Sequence, residues 1–306
     1  MRLVLDARTA AFGGLIDYAG VFPPASLSVS EAVADYRRLT ASDDRWIVGR
    51  FLCRASQLEQ LAGIASTTFK RGDEPWSVGV IFDRGPGESG VLAASFAREM
   101  DPAMKVTGVE AKLTEPSPEG VDQLVGAMSV VDTEAALFVE VDREFDFGRQ
   151  IDNVRSALMD RGRSGGVKLR CGGVTPDLFP TVEELTDFIS EATARKAPFK
   201  ATAGLHRPVR HFDADLDVWR HGFVNIVLAG VAASEGADRD TIASIVGETD
   251  PSAFRLGATT AAWRDIEFAG SAVRRSRHVG FTAFGSCDVD EPLEALAHAG
   301  MLGEGA

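Results

Sequence analysis

Short apolar runs alternate along the chain with longer stretches whose apolar residues recur at helical spacing. Eight runs have strand character: residues 15–20, 46–53, 76–83, 105–113, 135–142, 166–172, 199–206 and 279–285. Between them lie helix-start signals. Ser28 with Glu31, Ser56 with Glu59 and Thr181 with Glu184 fit capping boxes, and Ser117-Pro118 places proline in a first helical turn. After Thr181, the residues Val182, Leu185, Phe188, Ile189 and Ala192 form one apolar stripe, as a helix laid on a sheet requires. Strand and helix in regular alternation predict an α/β protein with a parallel sheet, open or closed. Eight such units in 306 residues favour a single (β/α)8 barrel domain spanning 1–306. The one irregularity is 207–278, before the last strand. There the pattern predicts a helical insertion with helices near 219–233, 238–246 and 260–275, covering the barrel mouth or forming a contact between copies in a homo-oligomer.

Within the strands, polarity alternates. Val109, Ala111 and Leu113 share one face, with Glu110 and Lys112 on the other, because successive side chains of a strand point to opposite sides. The same division sets Val139 and Val141 against Glu140 and Asp142, and Val167, Leu169 and Cys171 against Lys168 and Arg170. It also sets Phe199, Ala201, Ala203 and Leu205 against Lys200, Thr202 and His206, and Phe51 and Cys53 against Arg50 and Arg54. Helices cover the outside of a barrel, so the apolar set faces out and the charged set faces in. Barrel interiors are ordinarily filled with Val, Ile and Leu. Buried charge is costly unless paired, so its recurrence on several strands points to a site at the C-terminal mouth or to a self-neutralising network.

Composition narrows the partners. A hydrophobic share of 45% and a charged share of 25% are those of an ordinary water-soluble globular chain. The net charge of −13 argues against nucleic acid, whose binding needs a basic face. No apolar run is long enough for a membrane span, and the opening run Met1 to Leu5 meets Asp6 too early for a signal peptide. With Cys53, Cys171 and Cys287 odd in number and far apart, the expected setting is cytoplasmic, with neither a disulfide frame nor a metal knuckle. Among the inward groups, Arg50, Lys112, Lys168, Arg170 and Lys200 outnumber Glu110, Glu140 and Asp142. A positive lumen in an acidic protein suits a small anionic metabolite.

Two lysines on successive strands suggest covalent chemistry. An amine crowded by other cations loses its proton more readily and, once neutral, attacks a carbonyl to form a Schiff base. Lys200-Ala201-Thr202-Ala203-Gly204 is similar to the Lys-x-Thr/Ser-x-Gly strand of the deoxyribose-phosphate aldolase family. That resemblance implies a class I aldolase-type TIM barrel in which one lysine is the Schiff-base nucleophile and a second, on a neighbouring strand, tunes it. It spans five to eight of the 306 residues. The family carries this motif on its sixth strand, whereas here Lys200 falls on the seventh and Lys168 on the sixth, so motif and strand position nominate different lysines.

The expectation is therefore an aldolase-like lyase acting on a small anionic carbonyl compound. Lys168 or Lys200 is the nucleophile, Glu140 and Asp142 move protons, and Arg50 and Arg170 clamp the anion, with Lys112, Thr202, His206 and Glu110 completing the site. It needs no cofactor. Two alternatives stand beside it: a lyase or isomerase holding Mg or Mn on Glu110, Glu140 and Asp142, with Asp83 a further ligand and Lys168 or His206 as base, and a non-catalytic barrel that binds a small anion. The loop 17–24 is expected to form a wall of the mouth, with Asp17 or Tyr18 facing in. The GxGxxG match at 85–90 and the acids Asp213, Asp215 and Asp217 are read as a turn and a solvated face.

Overall fold

A computed structural model describes residues 6–70, 73–131 and 134–302. The opening run Met1 to Leu5, weighed above as a leader, lies outside these residues. Parallel strands β1 (Ile16–Tyr18), β2 (Val48–Arg54), β3 (Trp76–Ile81), β4 (Met104–Lys112), β5 (Ala136–Glu140), β6 (Gly165–Arg170) and β7 (Phe199–Thr202) follow one another around a ring. A closing strand, Phe281–Ser286, pairs with β7 on one side and β1 on the other, so the sheet is a closed (β/α)8 barrel.

The outward faces meet the helices. Val109, Val139, Val167, Leu169 and Phe199 are buried there, and Phe199 packs edge-on against Phe188 of the helix Val182–Ala194. The boxes of Ser28 and Thr181 form as the spacing predicts, at the starts of the helices Val29–Ala41 and Val182–Ala194. Ser56 does not cap: it lies in a 3-10 turn, Ala55–Gln57, and its backbone N–H and hydroxyl both donate to Asp83.

The segment between β7 and the closing strand departs from the predicted three-helix insertion. Helices Phe223–Ser234 and Arg239–Gly247 are present, but 260–275 holds an antiparallel hairpin, Thr260–Trp263 and Ile266–Ala269, before the helix Gly270–Val279. The hairpin belongs to a three-stranded sheet with Phe254–Leu256. This sheet packs on the helices Ala7–Phe12, Phe223–Ser234 and Gly270–Val279 outside the wall, and so does not cover the mouth. The small ribbon His211–Asp213 with Val218–Arg220 follows the C-terminal end of β7, where Arg220 lies over the Phe179 ring.

A lysine and carboxylate chain in the barrel lumen

In an eight-stranded barrel the inward side chains stack in layers drawn from alternate strands. The strand pairing orders those layers here. Arg50 and Gly108 lie nearest the N-terminal end, Asp17, Phe138 and Lys200 above them, then Glu110 and Lys168, then Glu140 and Thr202, with Lys112 and Arg170 at the rim. Glycine makes the lower layers possible. A Cβ on Gly108 would stand 3.0 Å from Arg50 Nε, so a larger residue would press on the arginine and require it to shift.

Cations and anions alternate through these layers. Arg50 Nη1 is 3.5 Å from Asp17 Oδ2, and its backbone N–H donates to Asp17 Oδ1 at 2.7 Å. Lys200 Nζ donates to Asp17 Oδ2 and to Glu110 Oε1, and lies 5.5 Å above the Phe138 ring. Lys168 Nζ donates to the other oxygen of Glu110 at 3.0 Å and reaches Glu140 Oε2 at 2.9 Å. Arg170 Nε closes the chain on Glu140 Oε1 at 3.4 Å. Lys168 is 4% exposed and Lys200 1%, while the Arg170 side chain is 43% exposed.

This sequence of charges sets the protonation states. Burial alone would raise the Glu110 carboxyl, but the charges of Lys200 and Lys168 and their hydrogen bonds outweigh it and hold Glu110 down at about 2. Burial likewise pushes Glu140 up, and Lys168 and Arg170 bring it below its ordinary value. For Lys168, burial favours the neutral amine, yet Glu140 and Glu110 raise its pKa above the ordinary lysine value. The expectation that two crowded lysines depress each other is thus reversed at Lys168, because Glu110 stands between them.

Of the predicted residues, Lys168, Lys200, Glu110, Glu140 and Arg170 come together. Thr202 faces the lumen beside Gly285, and Lys112 is exposed at the rim with no ion pair among the described residues. Three positions make no contact with this group of charges among those described, or lie away from the mouth. Asp142 lies just past β5, where its Oδ1 accepts the Glu144 N–H in a local turn. His206 turns to the rim, its Nδ1 2.8 Å from Glu291 Oε2. Arg50 sits on the far side of the lysines from the mouth, against Thr107 through Nε at 3.1 Å, and is no anion clamp there. Asp17 is the partner given too little weight: it is 1% exposed and holds both Lys200 and Arg50. Its signal was present, since Ile16 and Tyr18 leave it alone on the inward face.

Among the described residues no three His, Cys, Asp or Glu side chains gather as metal ligands, and each lumen carboxylate faces an ammonium or guanidinium. The three cysteines are free. No described helix is long and apolar enough to cross a membrane. No protein-family model matches the chain, and a search of curated proteins finds no match either.

Proposed function

We propose that this barrel is an aldolase-like lyase acting on a small anionic carbonyl compound, a carboxylate or phosphate, through an imine on Lys168. The reading rests on one observation above all: Lys168 is the first lysine below the rim, directly under solvent-facing Arg170 and Lys112, with a carboxylate on either side. Lys200 lies a layer deeper and is the positioning charge that keeps Glu110 ionised.

An incoming anion competes with Glu140 for Arg170, whose contact with that carboxylate is long and half-exposed. Freed of the guanidinium, Glu140 gains proton affinity and takes a proton from the Lys168 ammonium. The neutral amine adds to the carbonyl carbon. The carbinolamine oxygen leaves as water after protonation by Glu140. The Glu140 carboxylate then takes the proton of the substrate's β-hydroxyl, whose carbon departs as an aldehyde while the electron pair of the broken α–β carbon–carbon bond moves onto the iminium to give the enamine. Protonation of the enamine and hydrolysis of the imine release the second fragment and restore the lysine.

The test is borohydride reduction in the presence of a panel of aldehydes and 2-keto acids, followed by mass mapping. The expected result is an adduct on Lys168 that Lys168→Met abolishes and Lys200→Met retains at a reduced rate. An absence of adduct across the panel overturns the imine. If a small carboxylate or phosphate then still raises Tm, and Arg170→Gln with Lys112→Gln removes that gain, a non-catalytic anion-binding barrel replaces the lyase. The rim cations, Lys112 without an ion pair among the described residues and Arg170 half-exposed, favour that second reading.

A further inference from the structure

The N-terminal end of the barrel, opposite the mouth, carries a second concavity. A cleft of about 310 Å³ is lined by Thr9, Gly13, Arg274, Arg277, His278 and Thr282, with no carboxylate in its wall. Such a volume is within the range of small-molecule sites. On a chain of net charge −13, an acid-free basic hollow is out of keeping with the surface around it.

Two of the three basic groups are not consumed by the fold. Arg277 anchors itself on backbone, donating from Nη1 to the carbonyls of Phe281 and Thr282 and from Nη2 to Gly13 at 3.3 Å, but its buried Nε has no hydrogen-bond partner. Burial holds the Arg277 guanidinium down at about 10. Arg274, one turn earlier, has a buried Nε without a partner, and neither it nor exposed His278 makes a hydrogen bond or ion pair among the described residues. An oxyanion accepts several charge-assisted hydrogen bonds at once, and the terminal guanidinium nitrogens of Arg274 and the His278 ring have no partner among the described residues that it would displace. Basic residues on the last turn of a helix suit its dipole, which accounts for Arg277 and His278 but not for Arg274. It does not account for a concavity that holds Arg274 and His278 together with no carboxylate in its lining.

We propose that this cleft binds an anion of the phosphate class, free or as the terminal group of a phosphomonoester. The site is independent of the imine reading, because the lysine chain opens to the other end of the barrel. Its volume is roughly ten times the share of one liquid water, which leaves room beside a phosphate for a small organic group.

Calorimetric titration of the full chain carrying Lys112→Gln and Arg170→Gln removes binding at the mouth from the measurement. In that background we expect saturable binding of one inorganic phosphate per chain. Adding Arg274→Gln and His278→Gln, which break no hydrogen bond or ion pair of the fold, should weaken it at least tenfold with an unchanged circular dichroism spectrum. Glycerol phosphate in place of inorganic phosphate separates the two sources: tighter binding identifies a phosphomonoester, equal or weaker binding the free ion. Absence of saturable binding in the mouth background, or equal affinity with and without Arg274→Gln and His278→Gln, overturns the proposal.

Discussion

At the scale of single residues, Glu110 is the joint of the lumen, since each of its oxygens holds a different lysine. Its folded-state pKa lies at about 2, below the ordinary 4.5. Its contribution to stability is therefore complete above pH 4.5 and is lost as pH falls from there toward 2, by about 3 kcal/mol in all. Lys168 is raised instead, so its contribution is full below the ordinary 10.5 and is lost only as pH climbs through its folded value. We expect Glu110→Gln to cost about 3 kcal/mol at pH 7 by urea denaturation, because two buried ammonium groups then lack a shared anion. The variant should also show a flatter fall of Tm between pH 4.5 and 2. An acid limb as steep as that of the unsubstituted protein would remove Glu110 from its central place. Strand alternation made Glu110, Lys168 and Lys200 legible, because inward polarity on a barrel strand has few other outlets. It could not exclude Asp142 or His206, which share their parity with true lumen residues but lie beyond the last paired residue of β5 and β7, where alternation no longer dictates direction.

At the scale of elements, capping chemistry separates signals that look alike in the sequence. Ser28 caps its helix and receives Glu31 in return, so Ser28→Ala should destabilise the protein by about 1 kcal/mol in urea denaturation. Ser56 has the same spacing to Glu59 but spends its hydroxyl on Asp83 at the surface, and Ser56→Ala is expected to cost less than about 0.5 kcal/mol. Equal losses would mean that the difference in cap geometry carries no energy. The eight strands were readable because each is a short apolar run between helix signals. The 260–275 segment was not, since Ala261 and Phe268, seven apart, fit one helix face while Ala261 and Trp263, two apart, fit one strand face. What decides between strand and helix there is pairing: Thr260–Trp263 lies between two antiparallel neighbours, a tertiary fact with no local mark. Arg264, at φ 51°, makes the tight turn between the two strands and would interrupt any helix through that point.

At the scale of the molecule, two charge systems coexist and respond differently to salt. The lumen chain has a positive balance, so all of the net charge of −13 lies outside it, and like charges at that density repel one another and oppose the compact state. The lumen chain from Arg50 to Arg170 alternates in sign and is almost wholly withdrawn from solvent at its centre, so dissolved ions scarcely reach it. Exposed ion pairs such as Arg45 with Glu74 each contribute about 0–1 kcal/mol and lose part of that on screening. Between roughly 0.01 and 0.15 M ionic strength the Debye length shrinks from about 30 to about 8 Å, which cuts off surface repulsion across the barrel while leaving neighbouring lumen charges coupled. Tm at pH 7 should therefore rise over that interval of sodium chloride. In Lys200→Met, which strips the innermost cation from Asp17 and Glu110, the starting Tm should be lower and the rise of similar size, because the lost interaction was never screened. A Tm that falls with salt would mean that accessible ion pairs, rather than the enclosed chain, hold the barrel together.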